Sequence, residues 1–480
     1  MLNTILVAYI IFAIVIGAFQ LLNRNLILAR VLVGLFLAGQ VALTCYAVQM
    51  CGIAESEYFQ VDSLATLLTI VVTIISAAAF CHSNSYIVQN EYDQNDKVRA
   101  QSLGAMTVLT MALTMAGISA HLAVTWIFVE ITTLCASALI FYRRTQNSIE
   151  ATWKYVFACS VSLVLVYVGI LFASISMGSN AECGLSFAAL KANASSLDTF
   201  WLQISFIFVF VGYTAKMGLV PMFTAGIDAK DAAPAPAAAV LSSVVMNAGF
   251  VGFYRFYAVL ARTDAFAWAQ GVVLITGLLS VFVAAVYLVK VDNVKRLFAY
   301  SSVEHIGIIA IGLACGGVGV FAALLHLVLH SFAKSAVMMH VGNIFRVFGS
   351  KNMKQMGRYI DRNHVGASIM LIGLLCITAM PPSGLFMSEL MVFKALVTNK
   401  YWFVLTLTVI LLCTIVWAIC RDILAVLFLP SKEPLVLKEP TQEFPVAEKF
   451  WQFALLCLSI WWGLWTPDCI TNLINSAAEF

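Results

Sequence analysis

Long runs of apolar residues, separated by short polar segments, are the dominant feature of this sequence. Most runs hold about 20 residues, enough for an α-helix to cross a hydrocarbon layer of about 30 Å. Only 11% of the 480 residues are charged, whereas a soluble domain has about 25%. This pattern excludes an ordinary soluble enzyme and predicts an all-α, polytopic membrane protein.

Charged residues, glycines and prolines divide the apolar runs into about fourteen predicted membrane-spanning helices. The predicted spans are 2–22, 27–48, 59–81, 101–119, 121–141, 153–177, 200–224, 234–261, 268–290, 295–313, 317–347, 364–397, 401–429 and 446–466. The first run lacks a basic n-region, so we expect a retained first span and no cleaved signal.

The basic residues are distributed unevenly among the connections. Twenty of the 27 lysines and arginines lie in or beside odd-numbered connections, Arg24 and Lys438 among them, and even-numbered connections hold only Lys191, Arg262 and Lys400. Because positive charge favours the cytoplasmic side, we expect the odd connections in the cytoplasm and both termini outside.

Motifs that hold redox cofactors or nucleotides are absent from the sequence. The twelve cysteines form no C-x-x-C pair, and the chain has no P-loop or dinucleotide fingerprint. We therefore expect no cofactor and no metal in this chain. Its net charge of only +3 gives no indication of nucleic-acid binding.

A few charged residues lie within the predicted spans. A charge at bilayer depth costs about 2.5–3.5 kcal/mol, so it normally faces the bundle interior and marks an ion pathway. Arg255 and Lys394 lie near span ends and are expected to be structural, with Arg255 extending to the interface. The remaining candidates are Glu130, Lys216, Glu304, Lys334 and Glu389.

Two of these charges lie next to prolines that should break a helix. Pro221 follows Lys216 by five residues, and the Pro381-Pro382 pair precedes Glu389. Two interrupted spans at corresponding positions suggest an internal repeat of the transporter kind, with two unrelated prolines as the alternative. Glu130 and Lys216 would be a proton-loading pair or a structural ion pair.

Three titratable residues of the eleventh span share one helix face. His326, His330 and Lys334 are spaced at i, i+4 and i+8, which favours a proton relay over structural polar contacts. A metal site is the weaker alternative, because Lys334 repels cations and no carboxylate is near in sequence. Glu304 and His305 are adjacent, so we expect at most one of them to face the pathway.

Three more charged residues follow the broken seventh span on its cytoplasmic side. Asp228, Lys230 and Asp231 would form either a proton entrance or a solvated turn.

Four segments together resemble the antiporter-like, proton-translocating subunits of respiratory complex I and related complexes, most of all hydrogenase-4 component F. They are Ala-Lys-Met-Gly-Leu-Val-Pro (215–221), Ser-Ser-Val-Glu-His-Ile-Gly (301–307), His-Ser-Phe-Ala-Lys (330–334) and Pro-Pro-Ser-Gly-Leu-Phe (381–386). The resemblance implies fourteen helices with the seventh and twelfth broken. It also implies a three-helix segment (1–100), inverted five-helix repeats (101–262 and 263–430) and a final loop and helix (431–480).

The resemblance also implies roles for individual residues. Glu130 and Lys216 would be the proton-storing pair, His330 and Lys334 the relay, and Glu389 the terminal carrier. Asn247 stands where many members have a lysine or histidine that joins the two halves. The link would then run through water, His305 or His326.

The predicted function is proton translocation in the cytoplasmic (inner) membrane of a prokaryote, by a non-redox subunit of a hydrogenase-4 or formate hydrogenlyase type complex. Its partners would be other integral membrane subunits and a peripheral arm that carries iron–sulfur clusters and a nickel–iron site. The alternatives are an Mrp-type cation/proton antiporter, an energy-coupled carbon-uptake complex and a passive scaffold. The transported ion would be a proton or sodium.

Overall fold

A computed structural model describes residues 2–23, 25–89, 96–178, 184–433 and 445–479. Within these ranges the chain is helical, with isolated bridges but no β-strand, which confirms the predicted all-α class. The helices are α1 (Leu2–Leu22), α2 (Leu26–Gln49), α3 (Ser63–Gln89), α4 (Asp96–Ile118), α5 (Leu122–Ile140), α6 (Gln146–Ser176), α7 (Phe187–Ala192), α8 (Thr199–Met217), α9 (Thr224–Ala232), α10 (Ala235–Ser242), α11 (Val244–Leu260), α12 (Phe266–Leu288), α13 (Val294–Cys315), α14 (Val318–Phe348), α15 (Tyr359–Arg362), α16 (His364–Ile377), α17 (Gly384–Thr398), α18 (Trp402–Phe428), α19 (Val446–Leu464) and α20 (Asp468–Ala478).

The described ranges contain 12 helices long and apolar enough to cross a membrane, or 13 if the bent pair α19–α20 is one span. Helices α10 and α11 together form one of these spans. The chain is thus an integral membrane protein. The sequence predicted about fourteen spans because it counted 364–397 as one, whereas the structure divides this stretch into the short helices α16 and α17.

Helix breaks occur at both proline sites singled out in the sequence, Pro221 and the Pro381-Pro382 pair. Helix α8 ends at Met217, where Gly218 takes the left-handed conformation (φ 77°) that closes many helices. The chain is helical again from Thr224, and the freed N–H of Val220 donates to Ser280 Oγ at 3.1 Å. Such a partner is needed because an unsatisfied backbone group is costly inside a membrane.

The second break lies between α16 and α17. Its exit is fixed by Ser383, whose Oγ accepts a hydrogen bond from the N–H of Phe386 at 3.2 Å and so caps α17. Glu389 is therefore held in the second turn of a short helix.

Three spans form the centre of the bundle. The α10–α11 span and α13 are buried over the whole of their most apolar stretch, and α14 over 94% of it, whereas the peripheral α2 is buried over only 22%. Around this centre, α6 packs along α8 and α12 packs along α13. A polar side chain on a central helix consequently meets protein whichever way it points.

Arg255 is buried inside the bundle and does not extend to the interface, so that expectation was wrong. Its Nη2 lies 2.9 and 3.0 Å from the two carboxylate oxygens of Asp62, and its guanidinium also donates to the carbonyls of Gly117 and Ser119. The enclosed position of α11 gives Arg255 no route to the interface. Arg255 therefore joins α11 to the start of α3 and the end of α4, and these contacts support the predicted structural role.

Several other residues named in the sequence analysis are either exposed or outside the described ranges. Lys394 is exposed near the end of α17. Arg24 and Lys438, which contributed to the predicted orientation, lie outside the described residues, as does Cys183.

We expect Arg255→Met to destabilise the folded chain by about 2–3 kcal/mol. This is less than the roughly 3–5 kcal/mol of a fully buried pair, because water reaches part of Asp62. Thermal unfolding in mild detergent measures the effect, with Lys394→Met as the control that removes an exposed cation. Equal unfolding temperatures for Arg255→Met and the unmodified chain would contradict the structural role.

Candidate functional site

Lys216 lies at the C-terminal end of α8 with its amine held by hydroxyl groups. Its Nζ donates to Thr132 Oγ1 on α5 and to Tyr155 OH on α6, both at 3.1 Å. Its stem packs against Gly249 on α11, where an added Cβ would come within 2.7 Å of Lys216 Cβ. Four helices thus fix the position of this buried amine.

Glu130 lies near Lys216 but is not paired with it. Its carboxylate accepts hydrogen bonds from Ser160 Oγ at 3.1 Å and from Thr133 Oγ1 at 3.2 Å. In the described part of the chain, no ion pair within 4.0 Å joins Glu130 to Lys216. Instead Thr132, two residues from Glu130, contacts the lysine.

The hydroxyl partners of Lys216 and Glu130 were missed by the sequence analysis. Thr132, Tyr155 and Ser160 belong to no motif, and hydroxyl residues are common in membrane helices. The only available signal was that Thr132 follows Glu130 so closely in an otherwise apolar helix.

Lys334 is completely buried on α14. Its Nζ donates to the carbonyl oxygen of Phe298 at 3.0 Å and to Ser301 Oγ, both on α13. The next residue, Ser335, donates to Ser243 Oγ at 2.9 Å, at the junction between α10 and α11. Like Lys216, this lysine is held by neutral oxygen atoms.

Three imidazoles form a contact chain between α13 and α14. His305 Nδ1 lies 3.1 Å from His326 Nε2, and the rings of His305 and His330 have centroids 5.0 Å apart. His326 Nδ1 lies 2.9 Å from Ser388 Oγ on α17, next to Glu389. The predicted stripe on α14 is therefore joined by a histidine from α13 and extends to α17.

Glu304 lies beside His305, its neighbour in the chain and a member of this cluster. Glu304 Oε2 lies 3.6 Å from His305 Nε2, and both residues are buried. Both are enclosed because α13 is buried over its whole most apolar stretch, and the expectation that at most one of them faces the pathway stays a prediction. Glu304 is thus a candidate pathway residue.

Glu389 completes the cluster on the α17 side. It is buried, and its Oε1 has no hydrogen-bond partner among the described residues. Ligand atoms of His305, His326 and Glu389 all lie within 4.8 Å of one another. The sequence offered no carboxylate ligand near the histidines, but the fold brings Glu389 to them. This cluster of two histidines and a glutamate is compatible with a divalent cation or with proton exchange.

The charged residues of α9 face two directions. Asp228 pairs with Arg296 at 2.5 Å, and Asp231 pairs with Lys351 at 2.8 Å. Lys230 instead is buried, with its Nζ 3.4 Å from Met246 Sδ. Only the two aspartates therefore share the ion-paired face.

Asp231 connects α9 to the loop that precedes α13 and to the loop that follows α14. Burial raises the pKa of Asp231, but the ammonium groups of Lys351 and Lys295 and the hydrogen bond from Asn293 together outweigh burial, so this pKa lies below its ordinary value. The carboxylate also accepts from Asn293 Nδ2 at 3.2 Å. Asp231 is therefore ionised at neutral pH and fixes the end of α9.

We expect Asp231→Asn to destabilise the chain at neutral pH by about 1.5–3 kcal/mol, the range for a hydrogen bond to a charged group. The physical reason is that Lys351 loses its carboxylate. Thermal unfolding in detergent measures the loss, with Asp361→Asn on the exposed face of α15 as the matched control. If both variants unfold alike, Asp231 does not fix α9.

The fold and the buried line of amines, imidazoles and carboxylates define a class of integral membrane protein with a polar axis through its helix bundle. The transmembrane profile described as NADH:quinone oxidoreductase/Mrp antiporter matches residues 119–414, which include Glu130 through Glu389. The chain belongs to this family, as the resemblance of its motifs predicted.

Two curated relatives and one solved structure illustrate this relationship. The hydrogenase-4 component F homolog of Methylacidiphilum infernorum is 31% identical over 345 residues, which cover 71% of this chain and 72% of that protein. Hydrogenase-4 component B of Escherichia coli is 28% identical over 344 residues, covering 69% of this chain and 49% of that protein. A chain of the membrane-bound sulfane sulfur reductase, an archaeal respiratory membrane complex, has a TM-score of 0.84 at 20% identity, covering 100% of this chain and 97% of that chain. The last likeness concerns the fold alone.

Proposed function

We propose that this chain is a proton-translocating subunit of a complex I-like redox complex of the hydrogenase-4 or formate hydrogenlyase type. The observation that carries the proposal is the contact chain from His305 through His326 and Ser388 to the position beside Glu389. Family membership and the similarity to hydrogenase-4 components support the particular complex.

The hydroxyl groups around Lys216 would allow it to exchange a proton. A hydroxyl both donates and accepts, so Thr132 and Tyr155 can contact a charged ammonium or a neutral amine without moving. A carboxylate partner would instead favour the charged form. Glu130, held nearby by hydroxyls, would promote loading of Lys216 when it approaches and release when it withdraws.

The break after α8 supplies the freedom for such a change. Interrupted helices line the ion pathways of many transporters because their backbone bends at the break and admits water. Residues 218–223 begin two positions after Lys216 and are non-helical. We propose that this segment moves when the proton is loaded.

The second half would carry the proton from Lys334 to Glu389. A neutral imidazole accepts a proton on one nitrogen and releases one from the other, so His330, His305 and His326 can pass it along their contacts. The free Oε1 of Glu389 is the acceptor at the end. Linked imidazoles suit protons better than sodium, because hard cations prefer oxygen ligands.

The proposed topology has fourteen spans, with α16 and α17 counted as one broken span. The inverted repeats would be 101–262 and 263–430, between an N-terminal segment (1–100) and a C-terminal loop and helix (431–480). In support, Lys216 and Glu389 each lie beside a helix break, and α6 packs on α8 as α14 packs on α17. The uneven distribution of lysines and arginines among the connections favours an inner-membrane protein with both termini outside.

Electron transfer would occur in partner subunits, because the sequence has no motif for a redox cofactor. Those partners would be other membrane subunits and a peripheral arm with iron–sulfur clusters and a nickel–iron site. Redox energy can drive protons only if it biases two states of the polar axis differently. The alternatives without redox partners are an Mrp-type antiporter and an energy-coupled carbon-uptake complex.

Affinity purification from the native membrane in mild detergent, followed by mass spectrometry, tests the assignment to a redox complex. We expect a nickel–iron hydrogenase or quinone-reductase-like arm to co-purify, with hydrogen or formate oxidation activity. Recovery of membrane subunits alone would favour a gradient-driven exchanger or uptake complex.

Replacement of Lys216 by Met tests the proton pathway. We expect assembly to be retained and proton transport to fall on the order of tenfold or more, because an apolar side chain cannot carry a proton. The measurement is dihydrogen- or formate-driven proton uptake into inverted membrane vesicles, followed with a pH-sensitive dye. Lys394→Met is the matched control, and undiminished uptake by Lys216→Met would refute the scheme.

A further inference from the structure

His305 and His326 each turn one ring nitrogen towards the same point inside the bundle. His305 Nδ1 and His326 Nε2 are 3.1 Å apart, and both side chains are fully buried. Such a contact is stable if one nitrogen donates a hydrogen to the other, or if a cation binds the lone pairs of both. The partner of the second nitrogen in each ring favours one of these two cases over the other.

Ser388 fixes the position of the hydrogen on His326. The Ser388 hydroxyl donates to the carbonyl oxygen of Leu385 at 2.9 Å, and its Oγ lies 2.9 Å from His326 Nδ1. A hydroxyl has a single hydrogen, so both contacts are satisfied together only if His326 donates from Nδ1. The lone pair of this imidazole then lies on Nε2 and faces His305.

Glu304 lies behind His305 in a similar way. Its Oε2 is 3.6 Å from His305 Nε2, the ring nitrogen that does not face His326. This separation is longer than a hydrogen bond, and neither atom has a hydrogen-bond partner among the described residues. A carboxylate at this position favours a hydrogen on Nε2, which leaves the lone pair of His305 on Nδ1. The two imidazoles would then present lone pairs to each other, an arrangement that a bound cation stabilises.

Glu389 brings a carboxylate to the same point. Ligand atoms of His305, His326 and Glu389 lie within 4.8 Å of one another. Glu389 is buried, and its Oε1 has no hydrogen-bond partner in the part of the chain that the structure describes. Burying such an oxygen without a partner is costly, and a bound cation removes that cost.

We propose that His305, His326 and Glu389 form a zinc-binding site. Two histidines and a glutamate are an established zinc ligand set, which leaves the fourth tetrahedral position open to water. With Zn–N bonds of about 2.0–2.1 Å, the 3.1 Å between the nitrogens gives an N–Zn–N angle of about 100°, close to tetrahedral. Ser388 and Glu304 hold the imidazoles from behind, as hydroxyl or carboxylate partners of metal-binding histidines do.

The positive charge of Lys334 does not exclude a metal ion here. Lys334 is eight residues from His326, which is roughly 12 Å along the axis of α14. Its ammonium is held by oxygen atoms of α13. Glu389 is itself a ligand and Glu304 adjoins a ligand, so two carboxylates offset the charge of a divalent ion.

Zinc at this site blocks the second half of the proton pathway. The ion takes the lone pairs of His305 Nδ1 and His326 Nε2 that a proton needs, and it binds the carboxylate of Glu389. The site itself rests on contacts between side chains, whereas this blocking role rests on the proposed function. The two parts of the inference are therefore tested by separate measurements.

Zinc binding is measured on the full chain purified in mild detergent and treated with a chelator. We expect one zinc ion per chain, and we expect Ser388→Ala to weaken its affinity about 10–100-fold, as loss of a partner behind a ligating histidine does. Glu389→Gln should weaken it further, and His364→Ala, which removes an exposed histidine of α16, should leave it unchanged. No zinc binding by the unmodified chain, or equal affinity in all variants, would overturn the site.

X-ray absorption of the zinc-loaded, unmodified chain tests the ligand set without any substitution. We expect nitrogen and oxygen ligands at about 2.0–2.2 Å, with the scattering pattern of two imidazoles. The chain has twelve cysteines, which are also zinc ligands. Sulfur ligands at about 2.3 Å would contradict the proposal.

The blocking role is tested on the intact complex in inverted membrane vesicles prepared with zinc on both sides. We expect zinc to abolish dihydrogen- or formate-driven proton uptake, a chelator to restore it, and magnesium, which prefers oxygen ligands, to have no effect. Ser388→Ala should raise the zinc concentration for half-inhibition tenfold or more. If the chain binds zinc through these ligands but uptake continues, the blocking role and the proposed path through these histidines are both wrong, and the site stands.

Discussion

Charge inside a hydrocarbon layer is stable only where the protein supplies the partners that water would provide, and the structure follows from this requirement. The bundle meets it in two ways. Arg255 receives a carboxylate and two backbone carbonyls and so becomes a fixed cross-link between helices. Lys216 and Lys334 receive only neutral oxygens, which hold the amine but do not commit it to the charged form.

This difference separates structural charges from candidate carriers. An arginine paired with Asp62 cannot lose its proton, whereas a lysine held by hydroxyls or a carbonyl can. Ion pairs also stabilise α9, through Asp231 and Lys351, at the edge of the enclosed region. The ion-paired contacts thus lie outside the polar axis, and the candidate carriers lie along it.

The two helix breaks place functional groups where a continuous helix could not. At Gly218, two residues after Lys216, the chain leaves α8, and the separate helix α9 then places Lys230 at a small internal cavity that Lys216 also lines. At Ser383 the chain enters α17 and brings Ser388 and Glu389 to the histidines of α14. In both cases a short helix, oriented independently of its neighbour, supplies the polar group.

The sequence alone determined the all-α membrane class, the breaks beside Lys216 and Glu389, and the family, because these depend on local hydrophobicity, proline chemistry and contiguous motifs. It also found the titratable residues, since charge in an apolar run is conspicuous. The tertiary structure decided which of them meet. His305 inserts between two histidines of another helix, Glu304 is enclosed beside it, and Arg255 finds Asp62 across the bundle. Contacts between residues far apart in sequence depend on how the helices pack and rotate against one another, and a local sequence pattern does not predict this.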